Sequence, residues 1–387
     1  MKENTSLSMV REVMAEFDST TGISSGNNPR RYLWTDAFAV CNFLELYRQT
    51  DNPEYRRLAL RLIDQVHNIL GRHREDDLRK GWISGLTEQE GSLHPTRGGL
   101  RIGKKLSERR PADPVDERLE WDRDGQYYHY LTKWMHALNR AGRITGDSTY
   151  TASAIELAKT AHARFTYMPP TGGQKRMYWK MSIDLSYPLV RSMGHHDPLD
   201  GFVTYTSLQA TADTLFKNSV RPDLREEIAD IAAICEGKDW ATEDPLGIGD
   251  LLCSAYRVAQ LVMNGYFRQT DLLAALLDSS IRGLKFCAVD NLPAQHRLAF
   301  REFGLSIGLH AVERLYALTK QHPAILSENR ILHSQIETLM RYMPMHETIE
   351  NFWRKDVNRK SVTWKEHQDI NMVMLATNLA PDGYLTL

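Results

Sequence analysis

Cysteine is scarce in this chain, with four among 387 residues, and no two of them form a C-x-x-C pair. Cys41, Cys235, Cys253 and Cys287 sit far apart inside apolar runs such as Ala39-Val40-Cys41-Asn42-Phe43. That placement excludes a disulfide framework or a zinc knuckle and predicts buried free thiols. An excess of one charge is also lacking. The 48 Lys and Arg against 49 Asp and Glu leave a net charge of -1, so no bulk attraction to nucleic acid or to a membrane surface is expected. No uncharged apolar stretch of about 18 residues occurs, and Met1-Lys2-Glu3-Asn4-Thr5-Ser6 lacks the apolar core of a secretory leader. The expected location is cytoplasmic.

The common catalytic signatures are missing too. There is no Gly-x-Ser-x-Gly elbow, Rossmann fingerprint, His-Glu-x-x-His pair or DNA-binding motif. Gly98 to Lys104 spells G-x-x-x-x-G-K, but Lys105 stands where magnesium binding needs Ser or Thr, and no strand pattern precedes it. No cofactor and no metal are expected.

What the chain has in abundance is apolar residues at helical spacing, while period-two alternation is rare. Helical segments begin near Ser6, Trp34, Pro53, Trp121, Ser148, Val203, Pro222, Gly249, Thr270, Gln295, Asn329 and His367. The segments at Pro222 and Thr270 are amphipathic, with Ile228, Ile231 and Cys235, or Leu273, Leu277 and Ile281, on one face. Those at Trp34, Trp121 and Gly249 are apolar or aromatic nearly all round, as a helix enclosed by others must be. Enclosed helices alternating with one-sided ones predict an all-α, (α/α)6 toroid of six helical hairpins, a single domain over 1–387. A stacked solenoid would repeat at a fixed period, and the spacing of the enclosed helices here is irregular. The longest irregular stretch, 81–118, carries Arg97, Arg101, Lys104, Lys105, Arg109 and Arg110. It reads either as a solvated basic loop or as a lid over an anionic substrate or partner subunit.

Polar, aromatic-flanked clusters mark the starts of the enclosed helices. Trp34 beside Asp36 offers a ring for the apolar face of a sugar and an acid for its hydroxyls, although Thr35 or Asp36 equally serves as a helix cap. The densest cluster is Glu120-Trp121-Asp122-Arg123-Asp124-Gly125-Gln126-Tyr127-Tyr128-His129. Burying so many polar groups without partners is costly, so part of it should face a pocket; Asp122 and Gln126, four apart, would share a helix face, and Asp122 or Asp124 would cap it. Further on, His196 with Asp197 or Asp200 forms a candidate acid/base pair. Arg297, Arg301 and Glu302 either bury an Arg301–Glu302 pair for structure or orient a substrate, and Trp364, Glu366 and His367 open the last enclosed helix.

This ring of carboxylates, histidines and tryptophans resembles the six-hairpin (α/α)6-toroid superfamily of glycoside hydrolases, unsaturated glucuronyl hydrolases and N-acylglucosamine 2-epimerases. The resemblance implies a carbohydrate-active enzyme acting on a saccharide. In the hydrolases an acid and a base, both Asp or Glu, project from the ends of inner helices; the residues matching by position are Asp122 or Asp124 and Glu366 or Asp36. Substrate contacts would come from Trp34, Asp36, Trp121, Gln126, Arg297, Arg301 and Trp364. The alternative is epimerisation, in which two histidines move a proton beside a carbonyl. There Trp364-Lys365-Glu366-His367 resembles the late histidine motif, with His196 as partner. A third reading, a toroid that binds a small molecule or a protein without turnover, predicts acids neutralised by Arg123, Arg297 and Arg301. Exposed outer helices and a net charge near zero permit a homodimer.

Overall fold

The computed structural model describes residues 2–26, 29–216, 222–267, 270–287, 292–322 and 330–387. The described residues are predominantly helical, and the all-α class expected from the sequence is the one found. The chain divides into two compact units, one of Asp18–Gly237 and one of Met1–Phe17 with Lys238–Leu387. Helix α1 (Lys2–Thr21) opens the chain and begins in the second of these.

In the Asp18–Gly237 unit, α2 (Leu33–Thr50) and α3 (Pro53–Leu70) form the first hairpin. From Leu33 to Leu46 every side chain of α2 is buried, whereas α3 buries only Leu58, Leu62, Ile63, Val66 and their neighbours on one face. Pro53 in the first turn and Asn52, whose side chain accepts from the Glu54 amide at 3.0 Å, start α3. Two short helices, α4 (Glu88–Leu93) and α5 (Glu117–Asp122), interrupt the stretch read as one long loop. Then come β1 (Gln126–Tyr127), the enclosed α6 (Tyr128–Thr145) and its one-sided partner α7 (Ser148–Phe165). Strands β2 (Thr166–Tyr167) and β3 (Arg176–Met177) pair, and β4 (Lys180–Met181) lies between β1 and β5 (Pro188–Val190), antiparallel to both. Helices α8 (Asp197–Leu215) and α9 (Arg225–Cys235) close the unit, with α6 packed between α2 and α8.

The other unit holds α10 (Pro245–Met263), α11 (Asp271–Leu284), α12 (Ala299–Gln321), α13 (Arg330–Met340), α14 (Pro344–Trp353), α15 (Asp356–Arg359), α16 (Val362–Glu366), α17 (Gln368–Leu379) and α18 (Asp382–Leu385). Among the described residues, α10, α12 and α17 are enclosed and α11, α13 and α14 one-sided. By length and composition α10 is apolar enough to cross a bilayer, but Ile248, Leu251, Leu252, Val258 and Leu261 are buried, as in a core helix. It meets α12 backbone to backbone. A Cβ on Gly249 would lie 2.0 Å from the Gly304 carbonyl oxygen, and one on Gly308 would lie 2.6 Å from Gly249 Cα.

Helices α2, α10, α12 and α17 begin within four residues of the expected Trp34, Gly249, Gln295 and His367, whereas α6 starts at Tyr128 rather than Trp121 and α8 at Asp197 rather than Val203. Gly125, at φ +149°, turns the chain out of α5 and into β1. Asp122 therefore ends one helix while Gln126 lies in a strand, so they share no helix face, and neither Asp122 nor Asp124 caps α6. The start expected near Asn329 lies outside the described residues. All four cysteines are free thiols; Cys41 and Cys253 are buried, Cys235 and Cys287 half-buried.

Candidate active site

Within the Asp18–Gly237 unit a cleft of about 620 Å³ opens between the segment leading into α5, strand β1 and strand β5. Its polar lining includes Arg109, Glu117 and Glu120, and its aromatic lining Trp121, Tyr127, Trp179 and Tyr187. Trp121 is 52% exposed, so its ring is available to a ligand. It meets Trp179 edge-on at 4.8 Å, Trp179 meets Tyr127 at 5.5 Å, and Tyr127 meets Tyr130 at 5.2 Å. Tyr130 continues the wall to Tyr32, where the two hydroxyls are 2.6 Å apart.

The charged groups beneath the cleft are Glu120, Arg109 and Lys180. Arg109 Nε donates to Glu120 Oε1 at 2.6 Å, and its Nη2 donates to the Leu189 carbonyl at 3.2 Å. Lys180, on β4, donates to the carbonyls of Glu120 and Arg123 and stands 3.7 Å from Glu120 Oε2, a buried oxygen with no hydrogen-bond donor. Burial pulls the Lys180 ammonium down to about 8 despite the carboxylate beside it.

At the other end of the aromatic wall lies a histidine. His129, in the first turn of α6, packs against Tyr127 at 5.3 Å and Tyr130 at 4.8 Å and stacks on Trp179 at 6.3 Å. Its Nδ1 is 3.6 Å from the buried Asp197 carboxylate at the start of α8. One turn further along each helix, Lys133 Nζ approaches Asp200 at 3.3 Å. At this distance the carboxylate acts on the imidazole through charge, favouring its protonated form, rather than through a hydrogen bond. Gly194 fits this arrangement, because a Cβ there would come within 2.4 Å of the Asp197 carboxylate.

The residues singled out from the sequence are dispersed. Trp121 lines the cleft, and Asp122 next to it is exposed. Asp124 is fully buried: Arg101 reaches it at 2.9 Å and Arg74 at 3.4 Å, and the Gly103 and Gly125 amides donate to its other oxygen. Its acidity is held in a structural ion cluster rather than offered to a ligand. The Gln126 side chain accepts from the Leu100 amide and donates to the carbonyls of Gly98 and Ile183, so its hydrogen-bonding capacity goes to fastening the 98–100 segment. There Gly99, at φ +74°, lets the amide approach closer than any Cβ allows. Arg101 and Arg109, from the stretch read as a solvated basic loop or a lid, thus point inward to Asp124 and Glu120. Trp34 is buried against Phe38 at 4.3 Å, and Asp36 accepts from the Tyr32 amide at 3.0 Å and faces Arg31; the N-cap of α2 is Tyr32, so neither Thr35 nor Asp36 caps the helix, both lying in its first turn.

His196 precedes Asp197 and packs against His195 with the rings tilted and 4.7 Å apart, while the two acids suggested as its partners face His129 and Lys133. In the other unit, Glu302 pairs with Arg297, not Arg301, through two bonds of 2.8 and 2.7 Å; Arg301 reaches Asp244 at 2.6 Å. Trp364 is buried between Trp353 and Phe303, and Glu366 and His367 are exposed, the latter edge-on to Phe300 at 5.3 Å. Glu120, His129 and Lys180 were not selected from the sequence, and Asp197 only as a partner of His196. The first two lie inside the densest polar cluster and Asp197 beside His196, but Lys180 carries no local signal.

No known sequence family matches the chain, and no curated protein is similar to it. Among solved structures, a cellobiose 2-epimerase from Spirochaeta thermophila aligns over 81% of this chain and 74% of its own, at 15% identity and a TM-score of 0.47. A cellobiose 2-epimerase from Bacillus thermoamylovorans aligns over 81% and 76%, at 9% identity and a TM-score of 0.44. A sugar epimerase from a ruminal bacterium aligns over 90% and 87%, at 10% identity and a TM-score of 0.45.

Proposed function

We propose that the chain is a carbohydrate-active enzyme that moves a proton at a sugar carbon next to a carbonyl, in the manner of an epimerase or isomerase. The observation that carries this reading is the His129–Asp197 pair at the end of a contiguous aromatic wall. The wall supplies flat faces for sugar rings, and the imidazole, beside a buried carboxylate, is the group proposed to move the proton. Lys133, Glu120 and Lys180 add charge at both ends of the wall. Hydrolysis by two carboxylates has less support, because it needs one free acid and one free base facing each other across the bond, and Asp124 is committed to two arginines. Binding without turnover draws on that same neutralisation.

The test is proton NMR in D2O with a panel of free aldoses, ketoses and reducing disaccharides. Exchange of the ring-carbon proton with appearance of a new epimer is the expected result, slowed about 10²- to 10⁴-fold in folded His129→Gln and Asp197→Asn variants. New reducing ends instead of exchange would mean hydrolysis. Exchange that survives both substitutions would refute the assignment of His129.

A further inference from the structure

A second constellation lies in the unit built from Lys238–Leu387. His310 projects from α12, and His346 and Glu350, four residues apart and so on one helix face, project from α14, which packs against α12. Their ligand atoms all fall within 4.8 Å of one another, with the imidazole centroids 4.5 Å apart. His310 Nε2 and His346 Nδ1 are both buried with no hydrogen-bond partner. Each such atom costs about 1–3 kcal/mol when left unsatisfied, and here two meet in one place.

From this juxtaposition we infer that His310, His346 and Glu350 form a binding site for a first-row divalent transition metal ion of the zinc class, clamping α12 to α14. Two imidazoles and one carboxylate suit zinc, nickel or cobalt rather than calcium or magnesium, which take oxygen sets. Ligands at about 2.1 Å from a tetrahedral ion lie about 3.4 Å apart, so a spread of up to 4.8 Å closes with side-chain shifts on the order of 1 Å. The surroundings have the character of a supporting shell. His310 Nδ1 faces Glu313 at 3.7 Å, which leaves Nε2 for the ion, as in carboxylate–histidine–metal chains. The Glu350 carboxylate is held by Arg354 at 2.8 Å and Asn378 at 3.1 Å and has lone pairs left for a cation. All three ligands are half-buried, so water can complete the coordination.

The test uses the full, tag-free chain, stripped with chelator and titrated with zinc chloride by calorimetry, with metal content measured after dialysis and the cobalt derivative examined for ligand-field absorption. One equivalent of zinc per chain, a higher melting temperature and a tetrahedral or five-coordinate cobalt spectrum are expected. His310→Ala and His346→Ala should each weaken binding about 100-fold or more, and Glu313→Gln about tenfold through loss of orientation. His333→Ala should change nothing, since among the described residues His333 and Glu337 form a surface pair without a third ligand. Glu350→Gln, which preserves size, gives the same reading if an alanine variant folds poorly. Absence of stoichiometric binding at micromolar zinc, or binding that persists in both histidine variants, overturns the site.

Discussion

Asp124 separates a structural carboxylate from a catalytic one by experiment. Asp124→Asn keeps the shape of the side chain and the acceptor used by the Gly103 and Gly125 amides, but leaves Arg101, with only 12% of its side chain exposed, facing a neutral group, while the equally exposed Arg74 keeps its pair with Asp76. Removing one partner from a buried ion pair costs about 3–5 kcal/mol. The partial exposure of both guanidiniums favours the lower end, so a loss of about 3 kcal/mol is expected. For a unit this size that corresponds to a melting shift on the order of 10 °C. Urea denaturation followed by tryptophan fluorescence reads the loss, and turnover per folded molecule, measured with the substrate found in the exchange assay, should stay within a few-fold of wild type. A stability change under about 1 kcal/mol, with turnover nevertheless abolished, would refute the argument and return Asp124 to the role of reacting acid.

Three further outcomes follow from burial. His67 accepts from the Trp134 indole at 3.3 Å, and burial pulls its pKa from the ordinary 6.5 to about 3. The folded chain refuses a proton that the unfolded chain takes, so stability falls as pH drops below about 6.5, by up to about 1.4 kcal/mol per unit, and His67→Gln should blunt that fall in pH-dependent urea titrations. Lys180, pulled down to about 8, has the same sign in a different window. Between about pH 8 and 9.5 the unfolded lysine keeps a proton that the folded one sheds, so this group makes stability rise with pH, and the rise should vanish in Lys180→Met. Finally, Gly308→Ala places a methyl 2.6 Å from Gly249 Cα and should destabilise by about 1–3 kcal/mol or more in calorimetry, with no change in helix content.

The enclosed helices were readable because a residue surrounded by other helices must be apolar whatever its partner. The starts at Leu33, Pro245 and Gln368 therefore emerged from local pattern alone. The break before Tyr128 was not readable, because a glycine at positive φ ends a helix only where a strand is waiting, and β1 exists through its pairing with β4, which lies more than fifty residues away. The polar cluster around Asp124 was recognised as too costly to bury without partners. Its partners, Arg74 and Arg101, are 50 and 23 residues distant, so sequence proximity pointed to a pocket where topology supplied arginines. The same limit hid the candidate site, since His129 and Asp197 meet only once α6 and α8 have packed.

The glycine contact between α10 and α12 also bears on motion. Side chains absorb small displacements by changing rotamer, but Gly249 meets the Gly304 backbone, and Gly308 the Gly249 backbone, directly. Sliding of one helix past the other would have to break close-packed main-chain contact all at once, which makes the pair a single mechanical body. Breathing within this unit should then concentrate where side chains carry the contact, such as the seam between α12 and α14. Amide hydrogen exchange would show α10 and the middle of α12 opening together and last, with α14 opening first.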